Sequence, residues 1–129
     1  MPKKRIMVVD DNEAIRAVLG TSLKLLLPDC QIRAVGNGDA ALTELRQQPF
    51  DLVLTDYNMP KMNGVELARA ARKISPRTRI VLMSGGYVDT ENPSRTDAPK
   101  LDGFLDKPFT FPQLEKILCS NGISISRHS

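Results

Sequence analysis

Three continuous apolar runs, Ile6-Met7-Val8-Val9, Leu52-Val53-Leu54 and Ile80-Val81-Leu82-Met83, constrain this chain more than any other feature. A strand with one wet face alternates apolar and polar residues. A run without polar positions must be covered on both faces, as in a parallel sheet packed between helices. Two further runs of strand type, Gln31 to Val35 and Gly103 to Asp106, are more polar or shorter, which places them nearer the sheet's edges.

Helical periodicities fill the intervals. Ile15, Leu19, Leu23 and Leu26 share one face of a segment begun by Asn12 and closed near Pro28. Ala41, Leu42 and Leu45 mark a second helix from about Asp39 to Gln48. Leu67, Ala71 and Ile74 mark a third from about Gly64 to Ile74, stopped before Pro76. A last helix begins near Thr110, tolerates Pro112 in its first turn, turns Phe111, Leu114, Ile117 and Leu118 inward and ends at Asn121-Gly122. Between Tyr87 and Leu101, two prolines and a shortage of large apolar residues predict a short or mobile element in place of a full fourth helix. Repeated strand-helix units with right-handed crossovers give an α/β fold, a three-layer sandwich with helices on both faces of one five-stranded parallel sheet.

With 129 residues, 41% hydrophobic and 26% charged, the chain suits one domain, read as residues 1–122 followed by a tail at 123–129. No apolar run approaches the roughly 20 residues that span a bilayer, and the start Met-Pro-Lys-Lys-Arg lacks the apolar stretch of a signal peptide. A cytoplasmic protein without a membrane partner is expected. Cys30 and Cys119 stand far apart without metal-ligand spacing and read as free thiols. The net charge of +3 is carried by Lys and Arg scattered among Asp and Glu, with few aromatics, which predicts a mixed-charge surface and no direct contact with nucleic acid.

The chemistry gathers where the apolar runs end: Asp10-Asp11, Asp56, Ser84-Gly85 and Asp106-Lys107-Pro108. If the runs are adjacent parallel strands, their carboxyl ends bring carboxylates, a hydroxyl and an ammonium to one crevice. Such groups make a site for Mg²⁺ and phosphate. Each motif also has a plainer reading. Asp10-Asp11 can cap a helix, Asp56 can close an Asx turn, Ser84-Gly85 can be a turn, Lys107 can be a surface lysine, and Phe104 can be a core residue.

Taken in order, Asp10-Asp11, Asp56 followed by Met59-Pro60 and Gly64, Ser84-Gly85 and Lys107-Pro108-Phe109 resemble the receiver domain of two-component response regulators, from about Arg5 to Leu118. The resemblance implies a flavodoxin-like strand order of 2-1-3-4-5. It makes Asp56 the phosphoacceptor, with Lys107, Ser84 and Gly85 on the phosphoryl group. It assigns Mg²⁺ to Asp11, Asp56 and the backbone carbonyl of Asn58, with Asp10 acting through a water. It implies a cis Lys107-Pro108 bond, and a switch in which Phe104 turns inward as Ser84 moves. The partners implied are a histidine kinase or histidine phosphotransfer protein and an unknown downstream protein. The chain is expected as a monomer or a weak phosphorylation-dependent dimer that catalyses its own phosphorylation and dephosphorylation.

Gly86 lacks a side chain to guide a hydrolytic water, and His128 falls in the tail and reads as solvated. Two other functions compete. One is a receiver-like scaffold that is never phosphorylated, which the complete set of site residues argues against. The other is a small-molecule phosphatase with Asp10 as nucleophile. That enzyme expects an acid two residues on, where this chain has Asn12, and a cap insertion that it lacks.

Overall fold

The computed structural model describes residues 3–85 and 100–125. In chain order it contains β1 (Arg5–Val9), α1 (Glu13–Leu26), β2 (Gln31–Val35), α2 (Gly38–Gln47), β3 (Leu52–Asp56), α3 (Gly64–Ile74), β4 (Arg79–Ser84), β5 (Gly103–Asp106) and α4 (Phe111–Ser120). The strands form one parallel sheet in the order β2-β1-β3-β4-β5, with the two weaker runs at its edges as their composition requires. The expectations for Gly86, for the segment from Tyr87 to residue 99 and for His128 lie outside the described residues.

Alternation along the buried strands sorts side chains into two cores. Ile6 and Val8 of β1 face one layer with Leu54, Val81 and Met83, against Leu19 and Leu23 of α1 and Leu114 and Leu118 of α4. Met7 and Val9 face the other with Val53 and Ile80, against Leu42 and Leu45 of α2 and Leu67, Ala68 and Ala71 of α3. Complete burial of a leucine such as Leu23 or Leu118 contributes roughly 1.5–3 kcal/mol.

The helices start where capping chemistry allows. Asn12, Asn37 and Asn63 accept from backbone N–H groups at the heads of α1, α2 and α3, and Thr110 does so for α4. Asn63 with Glu66 and Thr110 with Gln113 form capping boxes. Because Asn37 is the cap, α2 begins and ends one residue before the expected bounds.

Three expectations are corrected. Ile15, on the apolar face shared with Leu19, Leu23 and Leu26, and Phe111, expected to face inward, are 38% and 52% exposed. Both side chains line the opening between the amino-terminal parts of α1 and α4. The tail was expected from residue 123, but Ile123 is 2% exposed and Ile125 packs against the same core. Gly122, at a φ of +79°, turns the chain back, and the Ile123 N–H donates to the Leu118 carbonyl at 3.0 Å.

At the opposite edge of the sheet from the strand carboxyl ends, Arg72 ties the end of α3 to β5. Its guanidinium donates to the carbonyls of Thr78 and Lys100 and to Asp102, whose carboxylate also accepts the Ile80 N–H. Cys30 is half-buried against the core and Cys119 is exposed, both as free thiols. Among the described residues no helix is long and apolar enough to cross a membrane.

Candidate functional site

Parallel strands end at a common edge, so every strand-terminal side chain singled out above arrives there. Asp56 closes β3 opposite Met83, and Ser84 closes β4 opposite Asp106. Asp10 follows β1 and donates its N–H to the Val35 carbonyl at 3.2 Å. Lys107 follows β5, and its N–H donates to the Ser84 carbonyl at 2.8 Å. The Lys107-Pro108 peptide is cis.

Asp10, Asp11 and Asp56 have carboxylate oxygens within 4.8 Å of one another. Asp10 is fully buried, Asp56 is 7% exposed and Asp11 lies open to solvent. The Lys107 ammonium sits between the two buried acids, 2.8 Å from Asp10 Oδ2 and 3.2 Å from Asp56 Oδ1. Asp10 Oδ1 accepts the Asn12 N–H at 2.9 Å, while the Asn12 side chain caps α1. The capping alternative for Asp10 and Asp11 is therefore unnecessary, because Asn12 performs that task.

Burial pushes the Asp56 carboxyl above its ordinary range; Lys107 opposes this, while Asp10 and Asp11 add to it. Burial alone would lower Lys107, but its hydrogen bonds to Asp10 and Asp56 and their charges hold it above the ordinary lysine value. The two directions are compatible. One ammonium gains from two carboxylates, whereas Asp56 has a share of one ammonium and faces two acids. Three hard oxygen donors against one ammonium leave an excess of negative charge, a donor set that suits a divalent cation.

A consequence for stability follows from the sign of the Asp56 shift. A raised folded value means that the ionised form costs stability, a cost absent below the ordinary carboxylate pKa and complete once pH has risen through the folded value. Asp56→Asn is therefore expected to melt at a higher temperature than the wild type at neutral pH without metal. The difference should vanish in acid. Paired melts from acid to neutral pH check this, and a gap that widens toward acid would contradict it.

The remaining predicted residues are at or beside the edge. Ser84 is buried and Gly85 exposed. A Cβ at Gly85 would meet Lys107 Cβ at an ordinary 3.7 Å, so packing does not demand glycine there. Asn58 is exposed in the turn after Asp56. Phe104 is 53% exposed, which removes the simple core reading for that ring. Lys107 also borders an apolar groove of about 590 Å³ between α1 and α4, lined by Ile15, Val18, Phe109 and Phe111.

Arg16 escaped the sequence reading, and Gly64 entered it as part of a motif without its structural reason. Arg16 donates from Nη1 to the Asp10 carbonyl at 2.8 Å, and the only signal was an arginine one turn into a helix that begins beside the acids. Gly64 lies so close to the end of β3 that a Cβ would stand 2.5 Å from the Asp56 carbonyl oxygen. The residue type hinted at this but did not identify the partner.

The model of the response regulator receiver domain matches residues 6–119. The response regulator receiver protein CpdR of Brucella abortus is 37% identical over 106 residues, covering 82% of this chain and 86% of that protein. The autoinducer 1 sensor kinase/phosphatase LuxN of Vibrio campbellii is 32% identical over 113 residues, covering 88% of this chain but 13% of that protein. The chain thus spans most of one curated relative and a small part of another. Among solved structures, the chemotaxis protein CheY4 of Vibrio cholerae superposes with a TM-score of 0.78 at 25% identity, covering 92% of this chain and 98% of that one.

Proposed function

The chain belongs to the response regulator receiver family, and from that premise we propose that Asp56 accepts a phosphoryl group from a histidine kinase or a histidine phosphotransfer protein. The observation that carries the reading is the meeting of Asp56 and Asp10 on the Lys107 ammonium at the carboxyl edge of the sheet. One Asp56 oxygen bonds to phosphorus, the bond from phosphorus to the donor's imidazole nitrogen breaks, and its electron pair stays on the imidazole.

An anion approaching a phosphoryl group needs positive charge and donors already in place. Lys107 donates to one phosphoryl oxygen, the Ser84 hydroxyl to another, and the Gly85 N–H supports the same group. Asp11, Asp56 and the Asn58 carbonyl would hold Mg²⁺, with Asp10 acting through a water, and the bound cation would supply positive charge against the approaching anions. Phe104 moves inward as Ser84 engages the phosphoryl group, which changes affinity for a downstream protein. Water later cleaves the acyl phosphate, so the chain promotes its own phosphorylation and dephosphorylation in the cytoplasm. Asp10 is a poor alternative nucleophile, because it is fully buried and both of its oxygens already accept hydrogen bonds.

The test is intact mass after incubation with Mg²⁺ and acetyl phosphate. One phosphoryl adduct is expected for the wild type, and none for Asp56→Asn or without Mg²⁺. A folded protein that never gains the adduct from either acetyl phosphate or a phosphohistidine donor would instead be an unphosphorylated interaction scaffold.

A further inference from the structure

Arg16 is half-buried, and the chemistry above makes no use of it. Its Nη1 donates to the carbonyl of Asp10, which belongs to the peptide joining Asp10 to Asp11. A peptide is planar, so holding its oxygen sets the plane on which the next residue is mounted. Asp10 is also held at its N–H by Val35 and at its two carboxylate oxygens by Asn12 and Lys107. Asp11 is exposed, and the direction of its carboxylate depends on the peptide before it.

The guanidinium has a shaped seat. A Cβ on Gly36, in the turn between β2 and α2, would lie 3.0 Å from Arg16 Nη1 and 3.5 Å from Cζ. Gly36 is not in the left-handed region, so its backbone does not require glycine. The space it leaves is filled by Arg16. One side chain therefore spans α1, the β2–α2 turn and the acidic edge.

We propose that Arg16 is a positioning residue for the acidic site: seated on Gly36, it fixes the Asp10-Asp11 peptide and so presents the Asp11 carboxylate to a divalent cation. The inference rests on the reading that Asp11 helps to hold Mg²⁺. Charge and position act in opposite directions here. A guanidinium beside acids repels a cation, so as a mere charge Arg16 weakens Mg²⁺ binding and its removal strengthens it. As a positioning residue its removal weakens binding, in the range of about 10-fold to 100-fold seen for groups that orient metal ligands.

The experiment is calorimetric titration of the unphosphorylated full chain with Mg²⁺, alongside urea melts in chelator. Arg16→Gln is expected to bind Mg²⁺ about tenfold more weakly despite losing a positive charge. Gly36→Val, which keeps the charge but crowds its seat, should shift affinity in the same direction. Equal or tighter binding by Arg16→Gln overturns the proposal. If that variant does not fold, Gly36→Val decides alone, and unchanged affinity there overturns it. A wild type that binds no Mg²⁺ overturns the cation reading itself and the positioning role with it, whereas a binding wild type with unaffected variants overturns only the latter.

Discussion

Lys107→Ala is expected to lose about 3 kcal/mol of folding stability at neutral pH in metal-free buffer, and to recover much of it when Mg²⁺ is added. The ammonium is the cation between two carboxylates that are almost wholly withdrawn from water. Removing one partner of a buried pair leaves the other charge uncompensated, and that penalty is larger than the net worth of the intact pair. Among the described residues Asp10 keeps only the Asn12 N–H on its carboxylate, and Asp56 is left facing Asp10 and Asp11.

The pH dependence follows from the Lys107 shift. Its folded value is raised, so its contribution is complete below the ordinary lysine range and is lost only as pH rises through the folded value in alkali. A cation bound to the folded state stabilises by mass action, and without the competing ammonium that gain should exceed the wild-type gain. Urea melts with chelator and with Mg²⁺ measure both effects. Equal stability of variant and wild type without metal would show that solvent screens the cluster. The variant should also form the acyl phosphate about a hundredfold more slowly, the scale on which one preorganised donor matters.

The legible parts of this fold were those decided by one-dimensional pattern. A run such as Ile6 to Val9 has no polar position, so it names a strand covered on both faces without knowledge of its neighbours. Strand ends were legible for the same reason, and in a parallel sheet they fall at one edge, which is why Asp10, Asp56, Ser84 and Lys107 could be grouped in advance. The errors arose where three-dimensional coverage decides. The apolar face of α1 runs from Ile15 to Leu26, but α4 covers only part of it, and the end near Lys107 stays open as a groove. Ile123 follows a glycine that reads as a helix stop; that this turn returns the chain to the core depends on space beside Leu118. Arg16 and Gly64 act through close approaches to the backbone around Asp10 and Asp56, for which composition and periodicity carry no signal.

Two glycines of this chain should respond to alanine with opposite signs. Gly20 is buried within α1, yet among the described residues a Cβ there would have no atom within 4 Å outside its own helix and immediate neighbours. Gly20→Ala therefore removes the backbone entropy cost of glycine without a clash, and should stabilise by roughly 0.5–1 kcal/mol. Gly64 is the first residue of α3, where its N–H donates to the Tyr57 carbonyl at 2.9 Å and closes the turn that carries Asn58. A Cβ there would stand 2.5 Å from both the Asp56 carbonyl oxygen and Leu82 Cδ1, and 3.1 Å from Tyr57 Cα. Two of these three neighbours are backbone, so no rotamer change relieves the overlap; α3 must back away from β3 or the end of β3 must move. Overpacking of this kind costs about 3 kcal/mol, near the upper end of its ordinary range. Because the displaced segment carries Asp56 itself, a shift of about 1 Å is enough to slow phosphoryl transfer on the order of a hundredfold. Urea melts with acetyl phosphate kinetics on Gly20→Ala and Gly64→Ala test the pair. If Gly64→Ala keeps wild-type stability and rate, α3 is free to slide, and the tight approach of its first residue to β3 does not hold Asp56 in place.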